Sequence, residues 1–338
     1  MGSVQHGTGL VMRRDVVLSC SGGKDSTASG LFLKEQGIAF SSIFCDTGWE
    51  AEETYRYLRE VLPGVLGPIR WLTPEVPWHP RQRLHILRAS GAPAEEIEAA
   101  ERAEGVRVAA ILEGWAAEIE ALLGVPYSAM VRRSLREAIL PTRTVRWCTQ
   151  ELKAIPAKQF LGTLDDPLNV VGIRAEESPS RAAMPEREYD RDMDCDVWRP
   201  LIRWTLDDVI AIHKRHGVQP NPLYLGSAVR VGCFPCIFSR KAEIAALTPE
   251  RIAAIRLLEE RVAEAGQMRS ARRGAEPAQL PPTFFNTRKV LPDGSHHWPI
   301  DRVLEWAITR RGGRQFELFA SGRDEGCMRW GLCNTARD

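Results

Sequence analysis

The chain has 338 residues, of which 44% are hydrophobic, so it is long enough to bury one large core or two smaller ones, and a globular enzyme is the expected class. Its 45 basic and 44 acidic residues nearly cancel, which excludes a protein that is basic over its whole surface but not one with local basic patches. No apolar stretch approaches the length of a membrane span, and residues 1–14 lack the apolar centre of a signal peptide, so we expect a cytoplasmic protein with no membrane part.

Strand and helix patterns alternate in the first part of the chain. Strands are predicted at 15–19, 38–44, 68–72, 169–173 and 197–202, with helical stretches between the first four. Such alternation is typical of a parallel sheet covered by helices on both faces. The predicted fold class is therefore a doubly wound α/β sheet.

Two further regions depart from this alternation. Residues 79–140 are rich in Ala, Glu and Arg, with apolar residues at helical spacing, and are predicted to form a helical insertion. From about residue 217 the sequence turns to Pro, Gly and Cys. We therefore predict a domain at 14–216 that contains the insertion, and a Cys-bearing C-terminal region at 217–338. The latter is predicted to hold helices at 249–265 and 300–310, with a loop at 266–282.

The first strand runs directly into a glycine turn and then into a helix. Residues 19–27 read Ser-Cys-Ser-Gly-Gly-Lys-Asp-Ser-Thr. Backbone N–H groups at a helix N-terminus attract anions, and Gly22 and Gly23 let the backbone approach a phosphate closely. Lys24 adds a positive charge, and we expect Lys24 and Asp25 to lie in an exposed turn. Further hydroxyl donors are Ser21, Ser26 and Thr27. The spacing fits neither the P-loop nor the dinucleotide pattern.

The second strand also ends in polar residues. It is followed by Cys45-Asp46-Thr47-Gly48. Because ligands of doubly wound sheets bind at the carboxyl ends of the strands, this loop is predicted to lie beside the glycine turn. Asp46 is a candidate ligand of Mg²⁺ or of an edge of a nucleotide. The alternative is a helix cap, which is common in any protein.

More patterns follow in order along the chain. They are Arg-x-Cys-Thr-x-x-Leu-Lys at 146–153, Gly-x-Arg-x-x-Glu-Ser-x-x-Arg at 172–181, Trp-x-Pro at 198–200 with Trp204-Thr205, and Asn-Pro-Leu-Tyr at 221–224. Together with Ser-Gly-Gly-Lys-Asp-Ser, they resemble the phosphoadenosine phosphosulfate reductase family of the PP-loop ATP pyrophosphatases, or adenine nucleotide alpha hydrolases. The resemblance covers residues 16–236. It implies a Rossmann-like PP-loop domain of the HUP type that binds ATP and cuts beside the alpha-phosphate.

The resemblance also assigns a nucleotide site. It implies catalytic roles for Lys24, Asp25 and Arg174. Lys153, Arg174 and Arg181 are suited to neutralise a triphosphate or its leaving pyrophosphate, and Mg²⁺ would add to this. The implied nucleotide-binding residues are Ser19, Ser21, Gly22, Gly23, Lys24, Asp25, Ser26, Thr27, Asp46, Thr47, Lys153, Gly172, Arg174 and Arg181.

Cysteines supply a candidate metal site. Cys233 and Cys236 form a Cys-x-x-Cys turn, and Cys148 with Cys333, or Cys327 as the alternative, would complete four ligands. Four thiolates suit a [4Fe-4S] cluster or Zn²⁺, and a redox-active dithiol is the alternative for one Cys-x-x-Cys. Resemblance to the DNA phosphorothioation and tRNA thiolation branches favours iron. We expect Cys148, at the head of a helix, to have a lowered pKa. The thiols expected to be buried or incidental are Cys20, Cys45 and Cys195.

The implied activity is adenylation of an acceptor oxygen with release of pyrophosphate, which prepares the acceptor for sulfur transfer. The resemblance is closest in type to the DNA phosphorothioation branch. Its implied partners are ATP, a sulfur donor such as a cysteine desulfurase persulfide, and DNA or tRNA; an oligomer is left open. The alternatives are a sulfonucleotide reductase, a tRNA thiolation enzyme and a non-catalytic subunit that senses nucleotides or binds nucleic acid. Sulfonucleotide reductases carry a C-terminal Glu-Cys-Gly-Leu/Ile-His segment, whereas this tail reads Gly-Cys-Met-Arg-Trp-Gly-Leu-Cys-Asn at 326–334.

Basic residues that would suit a nucleic acid fall into three groups, for which solvated helix faces are the alternative explanation. The first group is Arg132, Arg133, Arg136, Arg143, Arg146, Lys153 and Lys158. The second is Arg269, Arg272 and Arg273, and the third is Arg310, Arg311 and Arg314.

Overall fold

The computed structural model describes residues 14–226, 228–278, 280–286, 297–309 and 330. Its centre is a six-stranded sheet in the order β3-β2-β1-β4-β6-β5, in which all neighbours are parallel except the edge pair β5 and β6. The strands are β1 (Asp15–Ser19), β2 (Ser41–Cys45), β3 (Ile69–Leu72), β4 (Pro167–Val171), β5 (Arg187–Asp190) and β6 (Cys195–Trp198). A separate antiparallel pair consists of β7 (Phe285–Asn286) and β8 (His297–Trp298).

This sheet confirms the predicted α/β fold class. The strand order reverses at β1, which pairs with β2 on one side and β4 on the other. Ligands of open α/β sheets bind at such a switch point, outside the carboxyl ends of the strands. The five predicted strands are present, β1 with the predicted ends and the other four with shifted ends. The antiparallel β5 was not predicted. Its sequence, Arg-Glu-Tyr-Asp, is polar and largely exposed, so it carries no apolar alternation.

Helices cover the sheet and fill the predicted insertion. The first half of the chain contains α1 (Lys24–Glu35), α2 (Glu52–Arg56), α3 (Leu62–Leu66), α4 (His85–Ala89), α5 (Ala94–Leu123) and α6 (Ala129–Glu137). The second half contains α7 (Trp147–Thr149), α8 (Ile155–Leu161), α9 (Pro179–Ala182), α10 (Leu206–Arg215), α11 (Lys241–Ala245), α12 (Pro249–Arg273) and α13 (Ile300–Ala307). Helical segments of π geometry join α2 to α3 at Tyr57–Val61, and α7 to α8 at Gln150–Ala154. Short 3₁₀ turns occur at Ala175–Glu177 and Pro222–Leu225.

Helix α12 is longer than predicted. The predicted loop at 266–282 is wrong for residues 266–273, which continue the helix to Arg273. A glycine inside a helix costs only about 1 kcal/mol relative to alanine, so Gly266 does not end it. The helix ends instead at Gly274, whose φ of +63° is the left-handed conformation that glycine favours.

The insertion and the C-terminal region share one hydrophobic core. Buried residues of α5, α6 and α12, among them Leu112, Met130 and Leu258, belong to a single cluster. Trp49, which follows β2, enters this cluster and stacks on Phe284 with ring centroids 5.4 Å apart. The core thereby connects the loop after β2 with α12. Among the described helices, none is both long and apolar enough to cross a membrane.

Candidate functional site

The glycine turn joins β1 to α1 as the sequence predicts. Gly22 has a φ of +70°, and a Cβ on it would lie 3.1 Å from Thr54 Cγ2. The N–H of Thr27 donates to the carbonyl of Gly23 over 3.1 Å. The amides that precede Thr27 in the first helical turn have no partner within the helix, and amides at a helix N-terminus attract anions.

Lys24 is buried, so the expectation of an exposed turn is wrong for it. Its side chain lies 4.7 Å above the ring of Tyr224, and its Nζ donates to the carbonyl of Val229 over 3.2 Å. Lys24 is only 7% exposed. Burial lowers the pKa of Lys24, and the neighbouring Asp25 carboxylate opposes that change. The segments that cover Lys24 lie about 200 residues later in the chain, which is why local sequence gave no sign of them.

Asp25 is buried as well, and it is the counterion of two cations. One carboxylate oxygen lies 2.5 Å from Arg174 Nε, and the other lies 3.3 Å from Lys24 Nζ. Arg174 is 3% exposed and also forms an ion pair with Glu176. The three residues assigned catalytic roles are therefore brought together at the start of α1.

Gly172 brings the end of β4 against the first turn of α1. A Cβ on Gly172 would lie 2.6 Å from the backbone carbon and oxygen of Asp25 and 2.6 Å from the nitrogen of Ser26. Only a residue without a side chain allows this approach. The close contact places Arg174, two residues later, beside Asp25.

The Asn-Pro-Leu-Tyr segment fixes the turn from outside. The Asn221 side-chain amide donates to the carbonyl of Gly22 and to Thr54 Oγ1, each over 3.2 Å. The hydroxyl of Tyr224 accepts from the Lys24 N–H over 3.3 Å. His213 Nε2 lies 3.0 Å from the Lys24 carbonyl. These contacts position the glycine turn. Asn221, Tyr224 and His213 were not among the site residues expected from the sequence.

A cavity of about 290 Å³ opens at the carboxyl ends of β1 and β2. We call it the strand-end cavity. One wall is formed by the end of α7 and the π segment that follows it, and includes Thr149 and Lys153. Gly232 closes another side. The remaining lining residues are Ser19, Cys20, Ser21, Ile43, Phe44, Cys45, Glu50, Ala154, Ala157 and Met193.

The loop after β2 contributes Glu50 to this cavity. Asp46 accepts hydrogen bonds from the Gly48 N–H over 2.9 Å and the Tyr55 hydroxyl over 2.8 Å, and burial raises its pKa. Thr47 is fully buried and donates to Glu50 over 2.9 Å. Glu50 itself is 1% exposed and was not among the expected site residues. Its sequence context resembles an ordinary acidic helix start, which carries no sign of burial.

A second cavity, of about 240 Å³, contains the three described cysteines that were predicted as metal ligands. We call it the cysteine cavity. The turn that carries Cys233 and Cys236 is held against Trp49: the Phe234 N–H donates to the Trp49 carbonyl over 2.9 Å, and Trp49 Nε1 donates to the Pro235 carbonyl over 3.1 Å. The Cys-x-x-Cys turn and the head of α7 thus line one space, as predicted.

Burial acts against the expected thiolate forms of Cys148 and Cys233 in the metal-free protein. Burial raises the pKa of Cys233 to about 12, although Lys153 acts in the opposite direction. Burial also raises the pKa of Cys148, so the prediction of a lowered value at the helix head is wrong, because desolvation outweighs the helix terminus. A metal ion would have to displace these thiol protons on binding.

The metal centre itself stays a prediction. Within the described ranges, no three His, Cys, Asp or Glu side chains are placed to hold one ion together. Cys327 and Cys333, named as the fourth ligand and its alternative, lie outside the described residues. Thiol groups that line one cavity suit iron or zinc as ligands. The described side chains alone, however, do not form a complete set of metal ligands.

The two cavities share a wall. Thr149, Lys153 and Gly232 line both. Lys153 Nζ lies 4.0 Å from Glu50 Oε1, between the nucleotide side and the cysteine side. A ligand in the strand-end cavity would therefore be one residue layer away from the thiols.

The other expected residues are placed as follows. Arg181 forms an ion pair with Glu177, and Arg230 lies 3.9 Å from the same carboxylate. Cys20 and Cys195 are buried, as expected. Cys45 is half-buried and lines the strand-end cavity.

The chain is similar in sequence to several known proteins. The family model "Phosphoadenosine phosphosulfate reductase domain" matches residues 125–239. The chain is 32% identical over 329 residues to the "Uncharacterized 37.8 kDa protein in gpa 5'region" of Escherichia phage 186, covering 91% of this chain and 92% of that protein. It is 35% identical over 89 residues to the "Adenosine 5'-phosphosulfate reductase" of Allochromatium vinosum, covering 26% of this chain and 34% of the reductase.

A search of solved structures finds the phosphoadenylyl-sulfate (PAPS) reductase from Candida auris in its phosphate complex, with a TM-score of 0.39 and 17% identity over 68% of this chain and 85% of that one. The sequence match to the reductase domain includes the Arg-x-Cys-Thr and Gly-x-Arg segments. The chain belongs to the phosphoadenosine phosphosulfate reductase family.

Proposed function

We propose that this protein is a PP-loop ATP pyrophosphatase that adenylates an acceptor, releases pyrophosphate and thereby prepares the acceptor for sulfur transfer. The observation that carries the proposal is the cluster of Lys24, Asp25 and Arg174 at the N-terminus of α1. This helix begins three residues after Ser21, which lines the strand-end cavity. The acceptor is DNA, as in phosphorothioation, or tRNA. The sulfur would come from a donor such as a cysteine desulfurase persulfide.

The cluster is suited to a leaving pyrophosphate. Arg174 has a planar fork of donors, of which Asp25 and Glu176 engage two nitrogens. The ammonium of Lys24 has three donors, and two of them contact Val229 and Asp25, so one is left for a phosphate oxygen. These fixed charges would stabilise the negative charge that develops as the bond to the alpha-phosphate breaks.

Mg²⁺ would supply further charge neutralisation when bound. Asp46 is the residue that would hold it. Both hydrogen bonds to Asp46 use Oδ1, and Oδ2 has no hydrogen bond among the described residues. One free carboxylate oxygen fits Mg²⁺, which usually keeps several waters and takes few protein ligands.

A sulfonucleotide reductase is the second candidate. It is favoured by the shared wall of the strand-end cavity and the cysteine cavity, which would bring a bound nucleotide near thiols. The local identity to adenosine 5'-phosphosulfate reductases supports it too. Adenosine 5'-phosphosulfate given together with a dithiol separates the two candidates, because release of sulfite, with a thiosulfonate trapped on Cys327 or Cys333, requires the reductase.

From ATP labelled at the alpha-phosphate and incubated with Mg²⁺ and with duplex DNA or tRNA, we expect pyrophosphate and an equal amount of AMP. This AMP is counted as the AMP attached to the acceptor plus the free AMP that sulfur or water has displaced from it. The beta- and gamma-phosphates would leave together, because the glycine turn and Lys24 cradle them as one group. Chromatography of the labelled nucleotide measures this. Label recovered as ADP would contradict the proposal, and a Lys24→Ala sample run in parallel shows how much product arises without the site.

The cysteine cavity gives a prediction that does not depend on turnover. Protein purified without oxygen is expected to be brown, with broad visible absorption from a thiolate-bound [4Fe-4S] cluster. Substitution of Cys148, Cys233 or Cys236 by serine should remove the colour. Of the two tail cysteines, Cys327 and Cys333, only one should have this effect when it is replaced by serine. Serine at Cys195, which is buried in β6, is the matched control and should leave the colour unchanged.

Metal analysis of the same samples decides between the alternatives. Colourless protein with one zinc ion per chain would replace the cluster by zinc and keep the site. Colourless protein that contains neither metal would contradict the metal site altogether.

A further inference from the structure

Of the basic groups in the sequence, one lines a cavity together with further cations from a distant segment. Arg132 and Arg133 of the first group are ion-paired, Arg132 with Glu113 and Glu120, and Arg133 with Glu151. The third group lies outside the described residues. The second group, at the end of α12, forms a cavity of about 220 Å³ with the segment 79–83. We call it the arginine cavity, and its lining residues are His79, Arg81, Gln82, Arg83, Arg269, Arg272 and Arg273.

One wall of this cavity is fixed on α5. The Gln82 N–H donates to the Glu101 carbonyl over 2.9 Å, and the Leu84 N–H donates to the Glu101 carboxylate over 3.0 Å. A Cβ on Gly105 would lie 2.3 Å from the carbonyl oxygen of Pro80. The helix therefore needs glycine at this position for the segment 79–83 to cross it so closely.

The opposite wall is fixed as well. Arg269 donates to the Glu137 carbonyl over 2.6 Å, which ties α12 to the end of α6. At Gly274, a Cβ would lie 2.9 Å from His85 Nδ1, so the end of α12 also rests on α4. The cations of the cavity are thus carried by segments held in place, rather than by free surface side chains.

Acidic neighbours do not balance these cations. Arg81 lies 2.6 Å from Glu98, Arg269 lies 3.0 Å from Glu137, and Arg272 lies 3.7 Å from Glu104. Glu104 is shared with Arg107, and Glu137 is shared with His79, Arg133 and Arg136.

Two cations of the cavity have no acidic partner. Among the described residues, Arg83 and Arg273 form no ion pair, and both are exposed. Burial lowers the pKa of His79, and repulsion by Arg136 and Arg269 adds to this, as expected in a positive field.

We propose that the arginine cavity binds the phosphodiester backbone of a nucleic acid. Arginine presents paired donors that match the oxygens of a phosphate, and Arg83 and Arg273 face the cavity from its two walls. Arg81, Arg83 and Arg273 are all exposed, and a chain of phosphates can contact several such cations at once. Binding of a nucleic acid at this cavity does not depend on the proposed function. Only the further step, that this nucleic acid is the acceptor of the reaction, rests on it.

The test measures binding without ATP. Fluorescence anisotropy of a labelled DNA duplex and a labelled RNA hairpin is recorded at several salt concentrations, for the intact protein and for the Arg83→Ala/Arg273→Ala double variant. We expect the double variant to bind roughly ten-fold more weakly at low salt and to lose about 2 from the slope of log K against log salt, close to 0.9 for each phosphate contact. The nucleic acid that binds more tightly identifies the acceptor.

Two control variants distinguish binding at the arginine cavity from a nonspecific effect of the protein's net charge. Arg256→Ala removes an exposed arginine from the same helix, about 25 Å earlier at about 1.5 Å per residue, and should keep the intact slope. The Arg83→Lys/Arg273→Lys variant keeps both charges and should keep most of the slope. An unchanged thermal midpoint in all variants shows that the fold is intact. This is expected because Arg83 and Arg273 form no ion pair with any described residue.

Equal slopes for the intact protein and the Arg83→Ala/Arg273→Ala variant would overturn the proposal. Binding of inorganic phosphate alone, with neither oligonucleotide bound, would also overturn it. A Lys24→Ala protein that binds oligonucleotide normally but releases no pyrophosphate supports both proposals. Full pyrophosphate release by a protein that binds neither DNA nor RNA overturns this inference and leaves the proposed chemistry in place.

Discussion

Replacing Asp25 by asparagine is expected to abolish pyrophosphate release and to lower the free energy of unfolding by about 3–5 kcal/mol, the range for breaking a buried ion pair from one side. Asp25 is 9% exposed and stands between Arg174 and Lys24, which are themselves buried. Without the carboxylate, two cations would remain close together with little access to water. Urea unfolding measures the loss of stability, and labelled ATP measures the loss of activity.

A second substitution shows whether the charge is the cause. In an Asp25→Asn/Arg174→Met variant, one uncompensated cation is gone, so part of the lost stability should return, while pyrophosphate release should stay absent. Glu52→Gln is the matched control, because it breaks an exposed ion pair with Arg56 and should change stability by at most about 0.5 kcal/mol. Normal pyrophosphate release by Asp25→Asn would refute the assigned site.

Local sequence predicts the sheet and the glycine turn well because their signals are local. Val17 and Leu18 are fully buried in β1, and the turn that follows needs glycine at Gly22, where φ is positive. These features lie within a few residues of one another. The edge strand β5 has no such signal. In the described sheet it pairs with β6 alone, and its residues are largely exposed, so its sequence lacks an apolar alternation.

The environment of the site depends on contacts that local patterns do not contain. Lys24 is buried by Tyr224 and Val229, and the Cys233 thiol is buried beside Glu50. A motif predicts which residue types come together, but how far their side chains are shielded from solvent depends on distant segments of the chain. For this reason the sequence predicted that Lys24, Asp25 and Arg174 meet, but it did not predict the burial of Lys24 or the raised pKa of Cys148.

The electrostatic surroundings of the basic residues also depend on contacts with distant segments of the chain. Arg132 and Arg133 stand in a basic run of the sequence, but α5 and the segment after α7 bring carboxylates to them. Arg272 and Arg273 form a shorter run, yet they meet the segment 79–83, which adds positive charge. A run of basic residues therefore says little about the local potential until its spatial neighbours are known.

Alanine at Gly172 is expected to weaken nucleotide binding at least roughly ten-fold and to cost about 1–3 kcal/mol of stability, as overpacking does. The new Cβ would lie 2.6 Å from three backbone atoms of Asp25 and Ser26, and backbone cannot move aside as a flexible side chain can. The first turn of α1, with its anion-binding amides, would have to shift.

Gly64→Ala is the matched control for this substitution. Gly64 lies in α3 with nothing within 4 Å of a new Cβ, so alanine there should add about 0.5–1 kcal/mol of helix stability and leave nucleotide affinity unchanged. Calorimetric titration with a non-hydrolysable ATP analogue compares the two variants with the intact protein. If Gly172→Ala binds the analogue as tightly as Gly64→Ala does, the close approach of β4 to α1 does not shape the phosphate site, and the nucleotide must bind elsewhere in the protein.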